Sequence, residues 1–120
     1  PPAAVGAITE AVEVLSTTTE YTDRLWENAK FFKAELGKLG FNTGASETPI
    51  TPVIVGDEAK TVAFSKRMLE LGVFVSPIIF PTVPKGTGRV RCMVTAAHNQ
   101  EQLSRAVSIF KQVGEEMSLI

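Results

Sequence analysis

Residues 89–95 read Arg89-Val90-Arg91-Cys92-Met93-Val94-Thr95. A two-residue period is that of a β-strand whose two faces meet different surroundings. Val90, Cys92 and Val94 are small and apolar and share one face, so they are expected to pack under helices. Arg89, Arg91, Met93 and Thr95 share the other. A strand with one apolar face and one arginine face belongs to a sheet covered on one side only.

Upstream, Pro81-Thr82-Val83-Pro84-Lys85-Gly86-Thr87-Gly88 is a loop by composition. Before it, Val73-Phe74-Val75 reads as a strand that can continue to Phe80. Its link to Arg89 is too short for a crossover helix, so the two strands are expected to be antiparallel. Val53-Ile54-Val55 reads as a third strand, entered through Pro49 and Pro52 and ended by Gly56. Thr61, Phe64, Met68 and Leu71 recur at helical spacing between these strands, with Asp57 as N-cap and Gly72 as the stop. Leu103, Ala106, Phe110, Val113 and Met117 do the same after the strand, with Asn99 and Gln102 spaced as a capping box. Toward the N-terminus, a helix over about 19–39 has Tyr21, Leu25, Ala29, Phe32, Leu36 and Leu39 on one side and ends at Gly40. A further helix over about 2–16 carries the stripe Val5, Ile8, Val12 and Leu15.

The element order predicts an α+β fold: a small antiparallel sheet of three to four strands covered by helices on one face. Its open face and the first helix's stripe both require a partner. Without one, the chain is expected to self-associate or to rearrange its first helix.

Composition narrows the function classes. The 120 residues are 44% hydrophobic and 21% charged, which is one globular domain. Twelve basic residues against thirteen acidic ones, a net charge of −1, give no basic excess for nucleic acid. The longest apolar stretch, 71–83, is broken by Gly72, Pro77 and Pro81, so no membrane span is expected. No signal-peptide pattern occurs, and a cytoplasmic address is the default reading. Cys92 is single and reads as an inert small hydrophobe. No cluster has metal-ligand spacing. The chain opens on Pro1-Pro2 without Met, as expected for a piece of a longer protein or after removal of an initiator Met.

Arg89 and Arg91, two residues apart on a rigid strand, form a candidate anion site, because a guanidinium fork holds a carboxylate bidentately. The competing reading is a pair of surface arginines in ion pairs. The Pro81–Gly88 loop either approaches a ligand or simply turns; it contains neither GxGxxG nor GxxxxGK[ST]. His98 is read as a structural hydrogen-bonding group near the start of the last helix, with proton transfer as the alternative.

Phe80-Pro81-Thr82-Val83-Pro84-Lys85-Gly86, then Arg89-Val90-Arg91, then Thr95-Ala96-Ala97-His98 resemble the C-terminal signature of the α-oxoamine synthases, pyridoxal-phosphate enzymes of fold type I. The resemblance extends to Pro1-Pro2-Ala3-Ala4-Val5, Arg24-Leu25-Trp26-Glu27-Asn28 and Thr48-Pro49-Ile50-Thr51-Pro52-Val53, and so covers essentially the whole chain. It implies that residues 1–120 are the C-terminal small domain of a longer enzyme, with the first helix leading in from a large domain. It implies a pyridoxal-phosphate-dependent acyltransferase that condenses glycine or another small amino acid with an acyl-CoA, as a homodimer. In the family a strand arginine at the position of Arg91 holds the amino-acid carboxylate; Pro81, Thr82 and Val83 are the candidate substrate loop. The Schiff-base lysine and the cofactor's other partners belong to the large domain, so no catalytic, cofactor-binding or metal-binding residue is assigned here, and this chain alone is expected to be inactive. The apolar pair Ile79-Phe80 leans toward the glycine C-acetyltransferase branch (2-amino-3-ketobutyrate coenzyme A ligase) rather than 8-amino-7-oxononanoate synthase. The rival class is a non-catalytic amino-acid-binding or dimerisation module.

Overall fold

A computed structural model describes residues 1–120. The elements run α1 (Pro2–Thr17), α2 (Glu20–Leu39), β1 (Ile50–Gly56), α3 (Glu58–Glu70), β2 (Ser76–Ile78), β3 (Gly88–Met93) and α4 (Gln100–Glu116). The strands form one antiparallel sheet in the order β1-β3-β2. The arginine-bearing strand, β3, is therefore the central one. Pro52 and Pro77 lie in the two edge strands, where a missing N–H costs no ladder bond on the outer side.

The alternation is obeyed: Val90, Cys92 and Val94 are buried, whereas Arg91 and Met93 are exposed and Arg89 is half-buried. Val90 faces Val53 across the ladder, and Cys92 faces Thr51. Helices α2, α3 and α4 cover this side, with Phe32, Phe64 and Phe110 at the centre of the core. Local sequence sets their ends. Asp57 Oδ2 accepts the Lys60 N–H at 2.8 Å, and Asn99 and Gln102 form the expected capping box. Gly40, at φ 100°, takes the left-handed turn after α2.

One strand lies three residues later than the sequence predicts. Residues 71–73 are consumed in terminating α3: the N–H of Val73 donates to Met68 O and that of Gly72, at φ 96°, to Leu69 O. Pairing begins at Ser76, opposite Arg91. Val75 still faces the core, and its carbonyl accepts from Ser65 Oγ at 2.7 Å. The expected third strand likewise extends over 50–56, and the central one stops at Met93 rather than Thr95.

Helix α1 buries no residue, and its stripe of Val5, Ile8, Val12 and Leu15 stands 59–65% exposed. A 16-residue helix is about 24 Å long, and the molecule extends 47 × 30 × 28 Å. No helix is long and apolar enough to cross a membrane.

Two positions in the sheet test the packing. Thr51 Oγ1 is buried with no hydrogen-bond partner. Thr51→Val keeps the shape and removes an unsatisfied polar atom, so it is expected to stabilise the fold by about 1 kcal/mol. A rise in urea midpoint at constant m-value is the expected reading. Gly88 is pressed against α3: an added Cβ would overlap Thr61 Oγ1 and lie 3.1 Å from Gly56 O. Thr61 is fully buried and its hydroxyl donates to Asp57 O, so it cannot swing away freely. Gly88→Ala is expected to cost about 1–3 kcal/mol, measured in the same way; an unchanged midpoint would contradict this packing.

Candidate functional site

On the open face of the sheet, charge stands on a rigid strand without an ion-pair partner. Arg91 is flanked across the ladder by Pro52 of β1 and Ser76 of β2, and Arg89 by Ile54 and Ile78. None of these neighbours carries charge. The ion pairs of the protein are Lys38–Glu35, Arg67–Glu70 and Arg67–Glu116, all elsewhere. The ion-pair reading of Arg89 and Arg91 therefore finds no support within this chain. The two arginines also differ. Arg89 is half-buried and its Nε donates to Thr87 O at 3.3 Å, whereas Arg91 is exposed and its side chain makes no hydrogen bond. Arg91 thus keeps all its donors for an anion.

On the covered side, burial pushes the Cys92 thiol up to about 12. Thiolate is the reactive form, so Cys92 is inert, as its strand parity implied. Arg67 joins α3 to α4: its Nε and Nη2 reach the two oxygens of Glu116 at 3.0 and 3.2 Å, and this hydrogen bonding holds the Glu116 carboxyl below its usual range. These groups are structural.

His98 sits where the sequence placed it, before α4. Its Nδ1 accepts the Thr95 N–H at 2.9 Å, so the neutral ring carries its proton on Nε2. Asn28 of α2 donates from Nδ2 to both Thr95 O and His98 O, each at 2.9 Å. The tight Thr95–His98 turn that ends β3 is thereby tied to a helix some 70 residues away in sequence. Sequence reasoning missed this role of Asn28. The available signal is its position on α2, three residues after Leu25 and four before Phe32, where a polar side chain borders the buried stripe.

Pro81 and Thr82 are exposed and Val83 half-buried, in the loop between β2 and β3. The Phe80–Pro81 peptide is cis, and the Thr82 N–H donates to Ile79 O at 3.0 Å. Ile78 pairs with Arg89, so the loop leaves and re-enters the sheet at the Arg89 end. No hydrogen bond joins it to Arg91. The sequence-assigned residues therefore lie on the central strand and on the loop leading into it, with no hydrogen bond joining Arg91 to Pro81, Thr82 or Val83.

The open face offers no lysine and no carboxylate along its strands. Lys33 is spent on Ser46 and Thr48, and Lys85 stands over the Phe80 ring at 5.0 Å. The donors that this face offers suit the recognition of an anion. No group of three or more His, Cys, Asp or Glu is placed to hold a metal ion.

A three-stranded antiparallel sheet, helices on one side and an arginine-bearing open side define a small α+β domain of the kind found in fold type I enzymes. The family model of class I and II aminotransferases matches residues 1–110, and the chain belongs to that family. Within it, the relatives place the chain among the α-oxoamine synthases. It is 72% identical over its whole length to 8-amino-7-oxononanoate synthase of Alkaliphilus oremlandii and 69% identical to that of Alkaliphilus metalliredigens. It covers 30% of each, so it spans less than a third of the length of these relatives. A solved structure of serine palmitoyltransferase from S. paucimobilis, with a bound PLP–myriocin aldimine, superposes with a TM-score of 0.91 at 29% identity, covering 100% of this chain and 31% of that one.

Proposed function

We propose that this chain is the C-terminal, substrate-positioning domain of a pyridoxal-phosphate-dependent acyltransferase that joins a small amino acid to an acyl-CoA. The observation that carries the reading is Arg91: an exposed guanidinium with no internal partner, on the central strand of a sheet whose open face awaits a ligand or another domain. Its role is to bind the amino-acid carboxylate through a bidentate pair of charged hydrogen bonds. Two such bonds fix orientation as well as position, so one chosen bond at the α-carbon is aligned for reaction. Pyridoxal phosphate, held outside this chain, supplies the electron sink for negative charge at that carbon. Pro81, Thr82 and Val83 line the amino-acid side of the site, and the full-length enzyme acts as a cytoplasmic homodimer. The names of the relatives favour the 8-amino-7-oxononanoate synthase branch over the glycine C-acetyltransferase branch, to which Ile79-Phe80 leaned.

Titration of the full-length holoenzyme with glycine and with L-alanine, the two smallest amino acids, tests the reading. Binding of at least one should be lost or severely weakened in Arg91→Ala. Unchanged binding of both would remove the carboxylate assignment.

A further inference from the structure

We propose that Glu58 is a positioning residue that holds the β2–β3 loop in register with the arginine strand. Glu58 opens α3, and its Oε1 accepts the Gly86 N–H at 2.8 Å across 28 residues of sequence. The loop's remaining polar contacts are its own. Thr82 N–H bonds to Ile79 O, the Thr87 N–H and Oγ1 both bond to Pro84 O, and Lys85 covers Phe80. The segment is therefore a folded unit with a single polar attachment to the helical layer. A side chain would meet nothing within 4 Å at Gly86, while its carbonyl oxygen stands 3.6 Å from the position a Cβ would take at Gly56.

The attachment matters because it sits at the entrance to the arginine strand. Two residues after Gly86, Gly88 is wedged against Thr61 of the same helix and against Gly56 O. The first turn of α3 thus grips the chain at both Gly86 and Gly88. Arg89 comes next, and its Nε donates to Thr87 O, inside the gripped segment. Releasing Gly86 frees the loop that carries Pro81, Thr82 and Val83 and loosens the backbone on which Arg89 leans. Arg91 stays in the ladder opposite Pro52 and Ser76. A carboxylate acceptor suits the task, since a charge-assisted hydrogen bond is roughly twice as strong as a neutral one.

The consequence for the amino-acid site rests on the function proposed above; the tether does not. The experiment uses the full-length holoenzyme and two readouts: hydrogen exchange of the Gly86 amide, and the apparent Kd for glycine and L-alanine from the cofactor absorbance. In Glu58→Ala, Gly86 is expected to exchange about tenfold faster and amino-acid Kd to rise about three- to tenfold. Glu58→Gln keeps an acceptor oxygen and should restore most of both. Exchange at the parental rate in Glu58→Ala overturns the tether. Faster exchange with unchanged Kd overturns the positioning role. Arg91→Ala, run alongside, separates the two readings. If it leaves Kd unchanged, the carboxylate site fails while the exchange result still decides the tether. If it raises Kd and Glu58→Ala changes neither readout, only the role of Glu58 falls.

Discussion

Arg91→Lys in the full-length enzyme should weaken amino-acid binding by about tenfold to a hundredfold, the equivalent of one charged hydrogen bond worth roughly 1.5–3 kcal/mol. Lysine keeps the charge but presents a point donor where the guanidinium presents a fork. Its ammonium has one strong direction toward a carboxylate, so the second bond, which fixes rotation of the substrate, is lost. Turnover should fall along with affinity, because an α-carbon held at the wrong angle reacts more slowly. Acyl-CoA affinity should change little, since the carboxylate lies on the other substrate. Arg89→Lys should do less harm. Arg89 is half-buried and already donates to Thr87 O, so its fork serves the loop's backbone before any ligand. Steady-state kinetics with each substrate varied in turn checks both variants. Parental kinetics for Arg91→Lys at every amino-acid concentration would remove the site assignment. A larger effect from Arg89→Lys would transfer it to the other arginine.

Phe110→Ala should destabilise the domain by about 3–5 kcal/mol. Phe110 is fully buried on α4, and its ring meets three others: Phe32 of α2 at 5.8 Å, Phe41 at 5.7 Å and Phe64 of α3 at 5.7 Å. The first two contacts are edge-to-face, at 77° and 85°, the arrangement in which a ring's positive edge meets a negative face. Truncation leaves a void where α2, α3 and α4 converge, and rigid neighbours cannot collapse into it. Small domains have only about 5–15 kcal/mol of total stability, so the variant should sit near its unfolding transition. Phe74→Ala provides the contrast: Phe74 is 75% exposed, and its loss should stay within about 0.5 kcal/mol. Urea denaturation of the 120-residue chain measures both. Similar costs for the two phenylalanines would show that the core is not centred on α4.

The physical range of an interaction decides how legible it was. The central strand was readable, over 89–95 against the 88–93 that pair, because alternation is a property of the backbone itself: each residue's face follows from its neighbour's. The caps at Asp57 and Asn99 were readable because donor and acceptor lie three residues apart. The arginine pair was visible as residues of one type at one spacing. The start of β2 was not, because Val73-Phe74-Val75 has good strand composition and only the termination of α3, through Val73 N–H and Met68 O, takes those residues out of pairing.

The sequence by itself determined the kind and order of the elements, the covered and open faces of the central strand, and the family signature that runs through residues 80–98. Tertiary structure alone decided the strand order β1-β3-β2, which puts Arg91 between Pro52 and Ser76 with no ion-pair partner. It also decided that Asn28 ties off the Thr95–His98 turn and that Glu58 reaches Gly86. These contacts span 28 to 70 residues. Local periodicity and capping act over about four residues, within one turn of helix or two steps of strand, so they carry no record of which distant segment closes against which.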